Sequence, residues 1–417
     1  MTLAGGKTGR IPGVLVPRAM IAQPGRFGGA PIGDCLSGDL VLRNGRAVAL
    51  SPSGQAPDCL VMPRLTDPHV HLDKCHSMDR LAGVGGDLDT AIRAQLADKA
   101  RWDTADIRHR ASRGLRELSE AGCATVRSHV DWGDDRDPDR VPLAWEVLGE
   151  LIATAPQGFT LQRAALTDIV RLADAPYAES CAARIARDKG VLGAFVFDQA
   201  ERDSGLANAF RAADRYGLAL DFHVDEGLSA TLDGLERIAD AALAARFQGP
   251  VLCGHACSLA NLGQADTARI ADKLARAGIS VAALPQTNLY LQGRTTGTPD
   301  RRGLTRLHEL RAAGVNVVLG ADNVRDGFCP IGRHDPLHTL ALAVLAAHLD
   351  PPFDRHLPMI TTGARQALGL APQTVDGAAT GDLLLFDVTS TSELLCGPAR
   401  PRPLSEHTGC AHDCPAQ

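Results

Sequence analysis

The chain is predicted to fold as an α/β protein, a (β/α)8 TIM-type barrel carrying a small β-sheet domain built from both ends of the sequence. Three observations predict it. Eight short apolar, β-branched runs recur along the chain, and longer Ala/Arg/Leu-rich segments separate them, which is the rhythm of parallel strands joined by helices. The ionisable residues on those runs fall at their carboxyl ends, where a barrel of this kind assembles its chemistry.

In chain order, residues 1–60 hold short β-like runs such as "DLVLRNGRAVAL", broken by Gly, Pro and Ser. With residues 375–417, which include "GDLLLFDV", they are expected to pair into one small sheet. The barrel is expected over 61–374. Its strands are predicted at "LVMPRL" leading into "TDPHVHLDKCH", then at 124–130, 160–166, 193–197, 218–224, 250–256, 279–285 and 316–322. The segment 106–122 has Leu115 and Leu118 at helical spacing and Gly122 at the expected stop. The tail "PARPRPLSEHTGCAHDCPAQ" is Pro-rich, and its Cys410–Cys414 stretch carries ligand-type residues with no second cluster beside them.

Composition excludes several classes of function. Lys and Arg number 43 against 49 Asp and Glu, a formal charge of −6, so the chain lacks the basic excess expected of a nucleic-acid or anionic-membrane binder. No window approaches 18 uninterrupted apolar residues, and the start lacks a basic flank followed by an apolar core. Eleven scattered cysteines, an odd number, are expected to be reduced thiols. A cytoplasmic enzyme with a small-molecule substrate is expected, with self-association into a homo-oligomer as the one protein partnership left open.

His69 and His71 fall just after the first strand, His129 and Asp131 after the second, His223 and Glu226 after the fifth, His255 on the sixth and Asp322 at the end of the eighth. Residues i and i+2 of an extended chain point to one side, so His69 and His71 can grip one ion together. The imidazole of His223 and the carboxylate of Asp322 would complete a set suited to zinc or ferrous iron.

The segments "DPHVHLDK", "RSHVDWGD", "DFHVDEG", "CGHACSL", "PQTNLYLQGR" and "VVLGADNVRDGFCPIG" resemble, in the same order, the signature segments of bacterial cytosine deaminases and their relatives in the amidohydrolase superfamily. The resemblance spans most of Val61 to His348. It implies one divalent ion, Zn2+ or Fe2+, on His69, His71, His223 and Asp322. It also implies a catalytic set of Glu226 as proton shuttle, His255 assisting the hydroxide, and Asp322. Lysines occur only at 7, 74, 99, 189 and 273, none on the fourth strand, where relatives with two metals carry a carboxylated lysine. No P-C-x-x-C motif of the other zinc deaminase design is present.

The expected activity is hydrolytic deamination of an amino-substituted nitrogen heterocycle, a pterin-like or pyrimidine-like ring, with release of ammonia. An amidohydrolase opening a cyclic amide or removing a substituted amine, as from a triazine, is the alternative. Expected substrate contacts are Asp168, Lys74, Asn323 and Trp132. Asp168 stands where the resemblance places a glutamine, and a carboxylate there would accept from an N–H beside an exocyclic amino group. Asn323 replaces a second acid after Asp322. Lys74 adds a cation that could meet a carbonyl or anionic substituent. A ring larger than cytosine, with a pterin first, follows from the Asp168 expectation.

Overall fold

The computed structural model describes residues 8–132, 140–397 and 400–409. The Cys410–Cys414 stretch lies outside the described residues. Eight parallel strands form the central sheet: β1 (Leu65–Val70), β2 (Cys123–Asp131), β3 (Thr160–Asp168), β4 (Val191–Val196), β5 (Leu220–Val224), β6 (Val251–His255), β7 (Ser280–Ala283) and β8 (Val317–Leu319). They pair in sequence order from β1 to β8. The ring closes through a parallel bridge between Val70 and Asp322. At that seam the Asp322 N–H donates to the His69 carbonyl at 2.8 Å, and the Ala321 N–H donates to the Asp67 carboxylate at 3.2 Å. This is the (β/α)8 barrel expected from the sequence.

A second, seven-stranded sheet joins the two ends of the chain: Thr8–Pro17, Ala30–Ile32, Cys35–Arg43, Arg46–Ser51 and Cys59–Pro63 from the beginning, with Leu383–Phe386 and Arg402–Pro403 from the end. Its neighbours are antiparallel except Thr8–Pro17 against Cys59–Pro63. One strand is not where periodicity placed it. The run "LVMPRL" was expected to open the barrel, yet Cys59–Pro63 is wholly buried between Thr8–Pro17 and Leu383–Phe386, and β1 is the "LTDPHV" that follows. Two consecutive buried strands, separated only by Arg64, read as one apolar run ending in a polar motif. The front of that motif, through Val70, is itself strand, and all six residues of Leu65–Val70 are buried.

The helix predicted over 106–122 spans Thr104–Glu120. Asp103 caps its start by accepting the Asp106 N–H, and Gly122, at φ +95°, takes the left-handed turn that ends it. The nine described cysteines form no disulfide. Among the described residues no helix is long and apolar enough to cross a membrane.

Candidate active site

The barrel interior is built in polar layers, because inward-facing residues alternate along each strand. In the lower layer Arg127 on β2 donates to Asp221 on β5 at 2.7 Å and to Gln162 on β3 at 2.7 and 2.9 Å. Both members of the ion pair are essentially inaccessible to solvent, at 1% and 0% side-chain exposure. Arg127→Met should therefore destabilise the chain by about 3–5 kcal/mol, since it leaves Asp221 as a buried anion without its guanidinium. A denaturant midpoint little changed from that of the parent would show the pair to be dispensable.

One step up each strand, the same alternation brings His129 and His223 over that layer. His129 Nε2 lies 3.0 Å from Asp221 Oδ1, and its ring packs on His69 with centroids 4.0 Å apart. His71 follows β1 directly, and His71 Nε2 and His223 Nε2 face each other at 3.1 Å. Asp322 Oδ1 stands 3.3 Å from His71 Nε2 and 3.5 Å from His69 Nε2. Asp322 adopts φ +61° at the barrel seam, a conformation unusual for a residue with a side chain, and the His69 carbonyl holds it there.

These groups carry unmet bonding capacity. Both ring nitrogens of His69, both carboxylate oxygens of Asp322 and His223 Nδ1 are buried without a hydrogen-bond partner. Such orphans are costly in a folded interior unless something compensates them. His69, His71, His129 and His223 each offer one nitrogen within 4.8 Å of the others, and His69, His255 and Asp322 form a second such set. Two of the rings, His71 and His223, are held uncharged. Burial, helped by the Lys74 charge, pulls His71 down to about 3, and burial pushes His223 well below the ordinary histidine range. Burial alone would raise the Asp322 carboxyl, but its contacts with His69 and His71 hold it well below the usual carboxylate range. Neutral imidazoles, an anionic carboxylate and unpartnered lone pairs are what a divalent ion requires, so the residues present fit one.

Glu226 has the opposite character. Burial, reinforced by the nearby Asp322 charge and partly offset by Lys74, raises its carboxyl well above the ordinary range. Its Oε1 lies 3.5 Å from His255 Nδ1. Asn288 Nδ2 lies 3.1 Å from the same nitrogen, and an amide N–H donated there leaves the ring hydrogen of His255 on Nε2, which has no partner. Asp225, at φ +49°, accepts the Gly234 and Leu235 N–H groups at 3.1 and 3.0 Å and so fixes the turn that carries Glu226.

The structure thus brings together His69, His71, His223, His255, Glu226 and Asp322. Lys74 is buried, with its ammonium 2.7 Å from Asp131. Burial alone would lower it, but Asp131 and Asp73 outweigh that and raise it. Asn323 donates to Asp326 at 2.7 Å. Asp168 ends β3, on the same face as Gln162, and its Oδ1 accepts the Val170 N–H at 3.0 Å. Trp132 stands apart from the cluster: its buried ring packs edge-on against Trp145 of the helix Leu143–Ala153, 5.0 Å between centroids. Sequence reasoning did not single out Arg127, Asp221 or Asn288, and it left His129 outside the ligand set. Asp221 carried a signal, an acid two residues before His223 within an apolar strand.

A barrel closed at a histidine-and-aspartate cluster, with a buried glutamate beside it, defines a hydrolase site of the metal-dependent type. The chain belongs to the amidohydrolase family, whose model matches residues 86–389. It is 35% identical over 381 residues to a pterin deaminase of Rhizobium rhizogenes, covering 88% of this chain and 86% of that protein. Among solved structures it is similar to a 5-methylcytosine deaminase of Klebsiella pneumoniae liganded with phosphonocytosine, at 25% identity and TM-score 0.77, covering 94% of this chain and 95% of the other. N-isopropylammelide isopropylaminohydrolase of Burkholderia multivorans shares the fold at 22% identity and TM-score 0.70, over 93% and 95% of the two chains.

Proposed function

We propose that this protein is a hydrolytic deaminase of an amino-substituted nitrogen heterocycle, with a pterin as the first choice of ring, and that one zinc or ferrous ion is held by His69, His71, His223 and Asp322. The observation that carries the reading is the convergence of His69, His71, His223 and Asp322, with unpartnered buried nitrogens and oxygens, beside Glu226 at 3.5 Å from His255, the two carboxyls being pushed in opposite directions by their surroundings. Environments that push two acids apart in this way divide ligand and proton-carrier roles between them. A bound divalent ion supplies Lewis-acid activation of water near neutral pH.

The chain's own residues supply the proton traffic. Glu226 passes one proton of the incoming water to the ring nitrogen beside the amino-bearing carbon, which makes that carbon electrophilic enough for addition. It then takes the proton of the added hydroxyl and passes it to the amine, which leaves as ammonia. His255, with its Nε2–H unpartnered in the protein, can donate to the incoming oxygen and hold it against the ring. The buried ion pair of Lys74 and Asp131 puts a cation close enough to bias Glu226 and His71, and its remaining N–H groups suit a ring carbonyl.

The similarity to a pterin deaminase and the carboxylate of Asp168 support the choice of ring. Asp168 shares its inward face with Gln162, and an acid there accepts from a ring N–H and part of the neighbouring amino group. Ammonia release should be measured over pterin, isocytosine, guanine, 5-methylcytosine and cytosine. The 2-amino-4-oxo rings should be turned over best, and cytosine as the best substrate would overturn the assignment of the ring. Asp168→Asn should lower kcat/KM on the best ring by about tenfold to a few hundredfold, the range for a buried polar contact left unpaired. Asparagine caps a helix as well as aspartate does, so the fold is unaffected. Equal losses on every substrate would remove Asp168 from ring recognition.

A further inference from the structure

Outside the barrel mouth, a second group of ligand-type side chains converges where the first and last strands of the barrel meet. His76 Nε2 lies 3.0 Å and His334 Nδ1 2.9 Å from the same oxygen, Oε2 of Glu117. The three come from separate elements: His76 from the loop after β1, Glu117 from the helix Thr104–Glu120, and His334 from the loop after β8. His76 is set by a backbone at φ +57° whose N–H donates to the Val324 carbonyl at 3.0 Å. Both imidazoles are almost wholly buried, at 3% and 0% side-chain exposure, and Glu117 is one-third exposed. The trio lines a cavity of about 220 Å³, enough for an ion and water.

We propose that His76, Glu117 and His334 form a second divalent-metal site, a structural zinc site separate from the catalytic cluster and independent of the catalytic reading. Two imidazoles and one carboxylate are a common zinc donor set, and the cavity leaves room for water as the fourth ligand. The three donor atoms already lie within 4.8 Å of one another. Donors around a tetrahedral zinc stand about 3.3 Å apart, so each imidazole nitrogen, now 3.0 and 2.9 Å from Glu117 Oε2, needs to move from that oxygen by only a few tenths of an ångström. His334 is available as a neutral ligand because burial lowers its pKa. Burial alone would raise Glu117, but its bonds with His334 and His76 hold it as a carboxylate. A second observation points the same way: His76 Nδ1 and His334 Nε2 are buried without partners, so these rings meet the protein through the nitrogens that face Glu117 and through no other.

The surrounding cations leave the site open. Arg113 is engaged by the other oxygen of Glu117 at 3.0 Å, and Arg325 by Asp79 at 2.8 Å. Arg333 is exposed, where its charge is screened by water and salt. Zinc bound here would clamp the loop that follows His69 and His71 to the loop that follows Asp322, with the helix as anvil.

The test is a zinc titration of the full-length chain against a chromophoric chelator, with turnover followed in parallel. Wild type should take up a second equivalent after turnover has already saturated with the first. His334→Ala, and separately the milder Glu117→Gln, should weaken the second equivalent by at least about a hundredfold while keeping the first and the turnover it supports. Cobalt in place of zinc should add a visible absorption band in wild type that both variants lack. Failure of wild type to take a second equivalent at tens-of-micromolar zinc, or its undiminished uptake by both variants, would overturn the site and leave the trio as a hydrogen-bonded brace.

Discussion

Glu226→Gln should lower kcat by about three to four orders of magnitude, the upper part of the range for a positioned acid–base group, because one carboxyl serves both proton transfers. The amide keeps the volume of the side chain and its place beside His255, 3.5 Å away in the parent, so KM and metal content should stay near those of the wild type. What it removes is the titratable carboxyl, which burial and the Asp322 charge push upward. Steady-state kinetics on the best ring, together with metal analysis of the same preparation, would check it. Turnover within a few-fold of wild type would reduce Glu226 to a partner that merely orients His255.

The second large effect concerns the ion itself. Thorough chelation should take turnover to background, and the first equivalent of zinc or ferrous iron returned should restore it in full. His69, His71, His223 and Asp322 carry the buried nitrogens and oxygens without partners that a cation would compensate, and the contacts of Asp322 push its carboxyl well below the usual range. Loss of that cation removes a ligand bound to the folded chain alone, so the chelated chain should also melt earlier, by mass action on the folded state. Activity that survives chelation would remove the metal from the chemistry. A need for two equivalents in His334→Ala, where the outer site is gone, would make the catalytic centre binuclear.

The alternation of apolar runs and helical segments was enough to give the barrel, and the His-x-His spacing was enough to place two imidazoles on one face. Those are local properties, written within a few residues. The boundary at Arg64 was not local: Cys59–Pro63 and Leu65–Val70 are equally apolar in their flanks, and only their partners, Thr8–Pro17 and Leu383–Phe386 for one and β2 for the other, decide which sheet each joins. The same limit hid Arg127 and Asp221, 94 positions apart, and the meeting of Glu117 with His334, 217 apart. Nothing in the spacing of His76 and His334 distinguishes them from surface histidines until the first and last strands are brought side by side. Trp132, adjacent to Asp131, reads as a residue of the mouth, yet neighbours on a strand face opposite sides, and it went to the helix layer.

The seam between β1 and β8 has a further consequence. The barrel is a ring whose last joint is a single bridge, Val70 to Asp322, with the Asp322 amide resting on the His69 carbonyl. The residue that locks the hoop is thus also one whose side chain reaches the reacting centre. Exchange of that one amide hydrogen reports on the integrity of the architecture and of the chemistry at once. Substitutions at this joint will therefore be felt at once in the closure of the whole hoop and at the centre.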